Sequence, residues 1–399
     1  MRILFLSGWF PYPPDNGIRI RIYNLVRCLS KEHEVTLVSF ADDVVPNNGL
    51  TQMRSYCRSV HTVPYKEFDP TRWRSFLGFL SPQPRSLFDT HNPQMATIVQ
   101  DLAEGGSYDI VIACELRTAP YALLARRTCR VFDDAELTVL QEQFSGQNGF
   151  LQRVRYGLTW LKTAHFVSSL LPRFDACTVV SERERDLVLR VAPGYRNIAV
   201  VPNGVDAALY TGDFGTPKPD TLIHTGALSY VANWDAMSFF LSSIFPLIKM
   251  RRPEVELRIT GGTNRVALDS LPRCDGVAFT GYLDDIRPAV AQSWVSVVPL
   301  RIGGGTRLKI LEAMALGTPV VSTSKGAEGL DVTPEENILI ADEPEQFAKA
   351  VLRLLDDASL RARLGANGRE LVSSRYRWEQ IGGKLERVLQ QVIQERQTR

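Results

Sequence analysis

Short, almost uninterrupted apolar runs separated by amphipathic stretches pattern the chain from end to end. Arg2 to Ser7 reads as a buried strand, a Pro/Gly loop leads to Gly17, a helix follows from about Arg19 to Leu29, and Glu34 to Phe40 is the next strand. Such runs return at Ile110 to Ala113, Val131 to Phe132, Cys177 to Val180 and Ile198 to Val201, with helical stretches such as Ala119 to Arg127 and Glu182 to Val191 between them. Apolar runs without alternation, flanked by helices, mark strands covered on both faces of a parallel sheet. After Pro202-Asn203-Gly204 the pattern restarts, with strands near Thr221 to Thr225, Glu256 to Thr260, Val277 to Thr280, Val295 to Leu300, Pro319 to Ser322 and Asn337 to Ile340. Helices near Trp234 to Lys249, Asp285 to Gln292, Arg307 to Leu316 and Pro344 to Leu355 separate them. Two doubly wound α/β halves follow, with a hinge near Pro202 to Tyr210 and a cleft between them. The expected division is 1–205, 206–375 and a C-terminal helix at 376–399. The helical end, Leu360 to Gln397, is too long for one more crossover and is expected to pack back across the first half.

The 399 residues suit two domains, and 44% hydrophobic with 23% charged residues is an ordinary globular balance. A net charge of +2 supplies no arm for a polyanion, so no nucleic-acid partner is expected. The longest nearly apolar stretch, Ala236 to Ile248, falls short of the ~20 residues needed to span a bilayer. Gly8, Pro11, Pro13 and Pro14 interrupt the apolar start before it could serve as a signal-peptide core, which points to a cytoplasmic protein. The six cysteines lack any C-x-x-C pattern and are expected to be reduced.

Absent motifs narrow the chemistry. There is no G-x-x-x-x-G-K-[ST], no G-x-G-x-x-G after a strand, no G-x-S-x-G and no D-x-D. The acidic pairs Asp42-Asp43, Asp133-Asp134, Asp284-Asp285 and Asp356-Asp357 are adjacent rather than spaced, and none of the five histidines is paired at metal-ligand spacing. We therefore expect neither a metal site nor a resident cofactor.

The most informative stretch runs from Leu300 through Gly303-Gly304-Gly305-Thr306-Arg307-Leu308-Lys309 to Glu312 and joins a strand to a helix. Thr306 is placed to cap the helix. Arg307 and Lys309 in the first turn oppose the helix dipole by ~0.3 to 1 kcal/mol each. A bound anion reverses that sign, because glycine amides, helix start and two cations then converge on it. Diphosphate binding and a loop before a basic surface helix are the two readings. Glu312, among Leu311, Ala313, Met314 and Ala315, needs a partner; ribose hydroxyls or a neighbouring Arg would serve. Glu115, Asp134 and Glu136 follow strand ends and are candidates for acceptor contact or, for Glu136, catalysis. Asp284 is placed to cap the helix after Thr280-Gly281-Tyr282-Leu283.

The run Leu311-Glu312-Ala313-Met314-Ala315-Leu316-Gly317-Thr318-Pro319-Val320-Val321-Ser322 resembles the retaining glycosyltransferases of family 4, as do Pro202-Asn203-Gly204-Val205-Asp206, Val179-Val180-Ser181-Glu182 and the opening from Pro13-Pro14 to Gly17. The resemblance covers essentially the whole chain. It implies the GT-B fold, two Rossmann-like domains, a nucleoside-diphosphate sugar as donor and a glycan or lipid-linked acceptor. The GGGTRLK variant resembles a subset tied to extracellular polysaccharide assembly. By resemblance, Glu312 is the second Glu of an E-x7-E motif that holds the donor ribose, Gly17 lies in the loop facing donor phosphates and acceptor, and Tyr282-Leu283 form the nucleobase turn. The chain departs from the family at three places. Gly304 stands where the first Glu belongs, leaving the amides of Gly304 and Gly305 to replace it. The stretch from Gly226 to Asn233 lacks the usual Arg and Lys, which makes Arg307 and Lys309 the candidates for diphosphate neutralisation. Phe132 to Glu136 holds no His. A nucleotide-sugar epimerase on the same scaffold and a non-catalytic nucleotide-sugar binder are the alternatives.

Two stretches free of acidic residues, Gln143 to Phe174 and Pro70 to Phe88, mix Arg and Lys with aromatic and aliphatic residues. They are expected to bind an anionic membrane surface peripherally, unless their apolar positions pack the first domain's core. The expected location is the cytoplasm, with peripheral contact at the inner face of the membrane.

Overall fold

The computed structural model describes residues 1–42, 45, 47–133, 137–145, 149–263, 266–304 and 307–398. The chain divides into two compact units, Met1–Asn203 with Trp378–Arg399, and Gly204–Arg377. Each is an α/β unit around a parallel sheet, the two-sheet architecture of the GT-B fold.

The first unit holds strands β1 (Arg2–Ser7), β2 (Glu34–Ala41), β3 (Ser59–Pro64), β4 (Ile110–Cys114), β5 (Cys129–Asp133), β6 (Ala176–Val179) and β7 (Ile198–Val200). Their order is β3-β2-β1-β4-β5-β6-β7, and every pairing is parallel. The chain winds outward from β1 to β3 and then resumes at β4 on the other side of β1. The carboxyl ends of β1 and β4 thus form the topological switch point. β3 was not expected from sequence: its residues SVHTVP mix polar and apolar, and only Val63 is buried, as suits an edge strand.

The second unit holds β8 (Lys218–Thr225), β9 (Glu256–Thr260), β10 (Val277–Gly281), β11 (Ser293–Val298), β12 (Val320–Ser322) and β13 (Leu339–Ile340), in the order β10-β9-β8-β11-β12-β13 and again parallel. Its main covering helix is longer than the expected Trp234 to Lys249. An α-helix over Val231–Phe239 passes through a π turn at Phe240–Ile244 into a second α-helix at Phe245–Arg251. Pro246 has no N–H for the preceding turn, and widening the helix just before it avoids the clash with the earlier carbonyl. This run of 21 residues contains an 18-residue window of mean hydropathy 1.3, long and apolar enough to span a membrane. Phe240, Leu241, Ile244, Phe245 and Ile248 are nevertheless buried in the second unit's core.

The expected helix Ala119 to Arg127 shrinks to Ala119–Ala122. The C-terminal end corrects the expectation that all of Leu360 to Gln397 packs on the first half. It is two helices, and Ala358–Arg375 stays in the second unit. There Gly365 lies against the carbonyl of Gly317 and Gly368 against Met314, so the absence of side chains lets this helix approach Leu308–Leu316 closely. Trp378–Gln397 belongs to the first unit and buries Trp378, Ile381, Leu385 and Leu389. A Cβ on its Gly382 would stand 2.5 Å from Cys28 Cβ on the helix Gly17–Leu29.

Candidate functional site

In the second unit the loop after β11 leads into the helix Leu308–Leu316, which ends at Gly317 in the left-handed conformation with φ 73°. Gly317 N donates to Met314 O and Thr318 N to Ala313 O, closing the last turn. Gly305 and Thr306, including the expected Thr306 cap, lie outside the described residues.

Arg307 corrects the expectation of a cation in the first helical turn facing an anion. It precedes the helix, is 6% exposed, and turns back onto its own loop. Nη1 donates to Gly304 O at 2.9 Å, and Nη2 to Gly303 O at 2.5 Å and Lys325 O at 3.3 Å. Gly303, at φ 103°, adopts a conformation that L side chains avoid. Arg307 therefore shapes the glycine loop from within.

Lys309 is the cation placed beside the carboxyl end of β8. Its Nζ donates to Asn233 Oδ1 at 2.7 Å, and Asn233 Nδ2 donates to Ala227 O at 2.9 Å. Gly226, directly after β8, has φ 131°, and a Cβ there would lie 2.6 Å from Asn233 Nδ2 and 3.0 Å from Lys309 Nζ. Lys309 thus comes to the stretch after the second unit's first strand, where the sequence itself has neither Arg nor Lys. Burial, reinforced by the Arg307 charge, pushes its ammonium down to about 7. His224, fully buried on β8, donates from Nδ1 to Val297 O at 2.9 Å; burial and the nearby Lys309 charge hold it neutral.

Glu312 lies one turn beyond Lys309. Its Oε1 accepts from Tyr210 Oη at 3.1 Å, and among the described residues no Arg or Lys forms an ion pair with it. Burial raises the Glu312 carboxyl above its ordinary range, with Tyr210 and Lys309 opposing the shift. Tyr282 and Leu283 follow the end of β10, with Tyr282 exposed. Asp284 is not the cap: Asp285 Oδ1 accepts from Arg287 N at 3.0 Å, ahead of the helix Arg287–Ala291.

In the first unit Gly17 opens the helix Gly17–Leu29, whose cap is Asn16, with Oδ1 accepting from Arg19 N at 3.1 Å. Glu115 follows β4 with φ 71°, and its carboxylate fills the space that a side chain at Gly8 would take. Asp134 and Glu136 lie outside the described residues. Sequence reasoning missed the buried pair Arg21–Asp133, at 2.6 Å. Arg21 Nη1 also donates to Val201 O at 2.9 Å and Asn203 Oδ1 at 3.0 Å, which anchors the Pro202-Asn203-Gly204 motif to β5. Only the contacts reveal the pair, whose members stand 112 residues apart. Among the described residues no three His, Cys, Asp or Glu side chains gather as a metal site.

The family model of the glycosyl transferase 4-like domain matches residues 16–204, and that of the glycosyl transferases group 1 matches residues 219–357. The chain is 22% identical over 395 residues to an uncharacterised 44.6 kDa protein in the cps region of Klebsiella pneumoniae, covering 94% of this chain and 96% of that one. It is 29% identical over 165 residues to the GDP-mannose-dependent monoacylated alpha-(1-6)-phosphatidylinositol monomannoside mannosyltransferase of Corynebacterium glutamicum, covering 38% of this chain and 42% of that enzyme. The crystal structure of Anabaena HepE in complex with UDP shares the fold at a TM-score of 0.66 and 18% identity, covering 98% of this chain and all of that one.

Proposed function

The chain belongs to the glycosyltransferases built from a GT4-like domain and a group 1 domain, and from that premise we propose a specific reaction. A hexose passes from a nucleoside-diphosphate sugar to a hydroxyl of a glycan or lipid-linked acceptor, with retention at the anomeric carbon. The observation that carries this reading is the Lys309 ammonium, held by Asn233 against the Gly226 backbone at the start of the helix Leu308–Leu316.

In the reaction the bond from anomeric carbon to β-phosphate oxygen breaks as the acceptor oxygen bonds to that carbon from the same face. The acceptor proton passes to the departing phosphate oxygen. Negative charge grows on that phosphate, and a preorganised cation nearby stabilises it most when it is fully developed. Lys309 is suited to this role, because a diphosphate restores the ammonium that burial disfavours. Arg307 acts as a positioning residue that keeps the loop from Gly303 open to the phosphates. Glu312 keeps Oε2 for the ribose hydroxyls while Tyr210 occupies Oε1. Gly17 serves the donor phosphates, Tyr282 and Leu283 the base, and Glu115, Asp134 and Glu136 the acceptor. The reaction as proposed needs no resident metal or cofactor.

The product is proposed to be a bacterial surface or extracellular polysaccharide, a reading the Klebsiella cps-region relative supports. We place the enzyme in the cytoplasm, at the inner face of the membrane. Lys162 Nζ donates to the carbonyls of Gly78, Phe79 and Ser81 at 2.8 to 3.1 Å, joining the two acid-free stretches. Around that junction Trp73, Phe76, Phe79, Leu80, Leu158 and Leu161 are exposed. The C-terminal half of the helix Phe150–Leu170 buries Phe166, Val167 and Leu170 instead, so the membrane contact is proposed only for the exposed residues around the Lys162 junction.

A thermal-shift screen of GDP, UDP, ADP and dTDP, followed by transfer assays with the matching nucleotide sugars with and without EDTA, tests the reaction. Stabilisation by one nucleotide and EDTA-resistant turnover are expected. Nucleotide stabilisation with no transfer to any acceptor overturns the transferase reading, and metal-reversible loss of turnover overturns metal independence.

A further inference from the structure

At the switch point of the first sheet two arginines bracket one tryptophan. Trp9 lies two residues beyond β1, Tyr65 directly follows β3, and Arg117 lies three residues beyond β4. The Trp9 and Tyr65 rings are 5.2 Å apart, with the Arg117 guanidinium 4.5 Å from the Tyr65 ring centre and 5.6 Å from that of Trp9. The Arg19 guanidinium stands 5.9 Å from Trp9. Ser7 fixes the loop, with its Oγ donating to Trp9 O and accepting from Trp9 N.

Two N–H donors in this cluster are withdrawn from water without an acceptor. Arg117 Nη1 and Arg19 Nε are buried and have no hydrogen-bond partner among the described residues. Arg19 is neutralised by Asp15 and Asp42, at 3.2 and 2.9 Å. Arg117 pairs with no carboxylate among the described residues, and the two ring faces are its nearest company. Buried guanidinium donors ordinarily find acceptors, and a guanidinium fork matches the paired oxygens of a carboxylate or phosphate. Ligands of doubly wound sheets bind outside the carboxyl ends of the strands at the switch point, where this cluster lies.

We infer that the Trp9–Tyr65–Arg117 cluster is a subsite for a negatively charged group on the acceptor, a carboxylate or phosphate engaged by Arg117 beside a sugar ring laid against Trp9. Resting on the glycosyl-transfer reading above, this narrows the acceptor to an anionic one. Two sources share that chemistry: a uronic acid unit of a glycan, and the diphosphate of a lipid-linked sugar.

Saturation-transfer NMR on the full chain tests it, with the donor site filled by the nucleoside diphosphate found to stabilise the protein. The probes are methyl glucuronoside against methyl glucoside, and geranyl diphosphate against geraniol. At least one charged probe is expected to bind tenfold or more tightly than its uncharged partner. Arg117→Gln should abolish that preference and Arg117→Lys restore part of it, with thermal unfolding and nucleotide stabilisation retained. Preference within the first pair identifies a uronic acid acceptor, and within the second a lipid diphosphate. Equal binding within both pairs, or a preference that survives Arg117→Gln, overturns the inference. Should Arg117→Gln fail to fold, Arg19→Gln and Trp9→Leu carry the same readout. If no nucleoside diphosphate stabilises the wild-type protein, the failure belongs to the transferase reading and not to this subsite.

Discussion

Lys309 reaches 2.7 Å across to the side-chain carbonyl of Asn233, bringing a cation from the helix after β11 to the stretch after β8. Its ammonium, pushed down to about 7, makes the protein's response to pH specific. A nucleoside diphosphate beside it raises its affinity for a proton. Nucleotide binding at pH 8 should therefore take up part of a proton, seen as a dependence of calorimetric enthalpy on the buffer's ionisation enthalpy, and Lys309→Met should remove it. The unfolded chain holds this proton up to about pH 10.5 and the folded chain only to about 7. The lysine's contribution to stability thus rises with pH across that window, because there the unfolded state binds more protons. Urea unfolding of wild type and Lys309→Met at pH 7 and 9 should show the gap moving in favour of wild type at the higher pH.

Glu312→Ala should weaken nucleotide-sugar binding by about 1 to 3 kcal/mol, since the ribose hydroxyls lose a charged acceptor. Tyr210→Phe, which removes only the hydroxyl donated to Oε1, should cost less. Titration calorimetry of both variants decides the matter, and an unchanged dissociation constant for Glu312→Ala would remove Glu312 from the ribose site.

Arg307 holds three loop carbonyls through one planar fork, a geometry that a single ammonium cannot reproduce. Arg307→Lys should therefore behave nearly as badly as Arg307→Ala, each lowering kcat at least tenfold, because the loop amides lose their alignment. Full kcat in the lysine variant would show that charge alone is required.

The apolar cluster joined by Lys162 should bind vesicles containing anionic phospholipid at low salt and release them as salt rises. Leu80, 88% exposed, and Trp73, 71% exposed, are the residues to change. Leu80→Ser with Trp73→Ser should reduce co-sedimentation several-fold while leaving thermal unfolding unaltered. Indifference of the wild-type chain to anionic vesicles at low salt would place the acceptor in solution.

The alternation of elements can be read from the chain alone, because strands buried on both faces must be apolar along their whole length. β1 at Arg2–Ser7 and the helix Glu182–Val191 fall where the pattern puts them. The same argument misses β3, an edge strand that needs no continuous apolar run. It also cannot divide the long C-terminal helical stretch, since both of its helices have an apolar face and only packing assigns one to each unit. At the site, the charges, the glycines and the Glu312 position were legible, being local features of one segment. The direction of each side chain was not. Arg307 turns inward to its loop, Lys309 crosses to Asn233, and Glu312 meets Tyr210 from 102 residues away. Sequence spacing states which groups a helix carries, whereas Asn233 and Tyr210 come from other helical segments, 76 and 102 residues away. A buried charge settles on whichever of those partners the fold brings within hydrogen-bond reach.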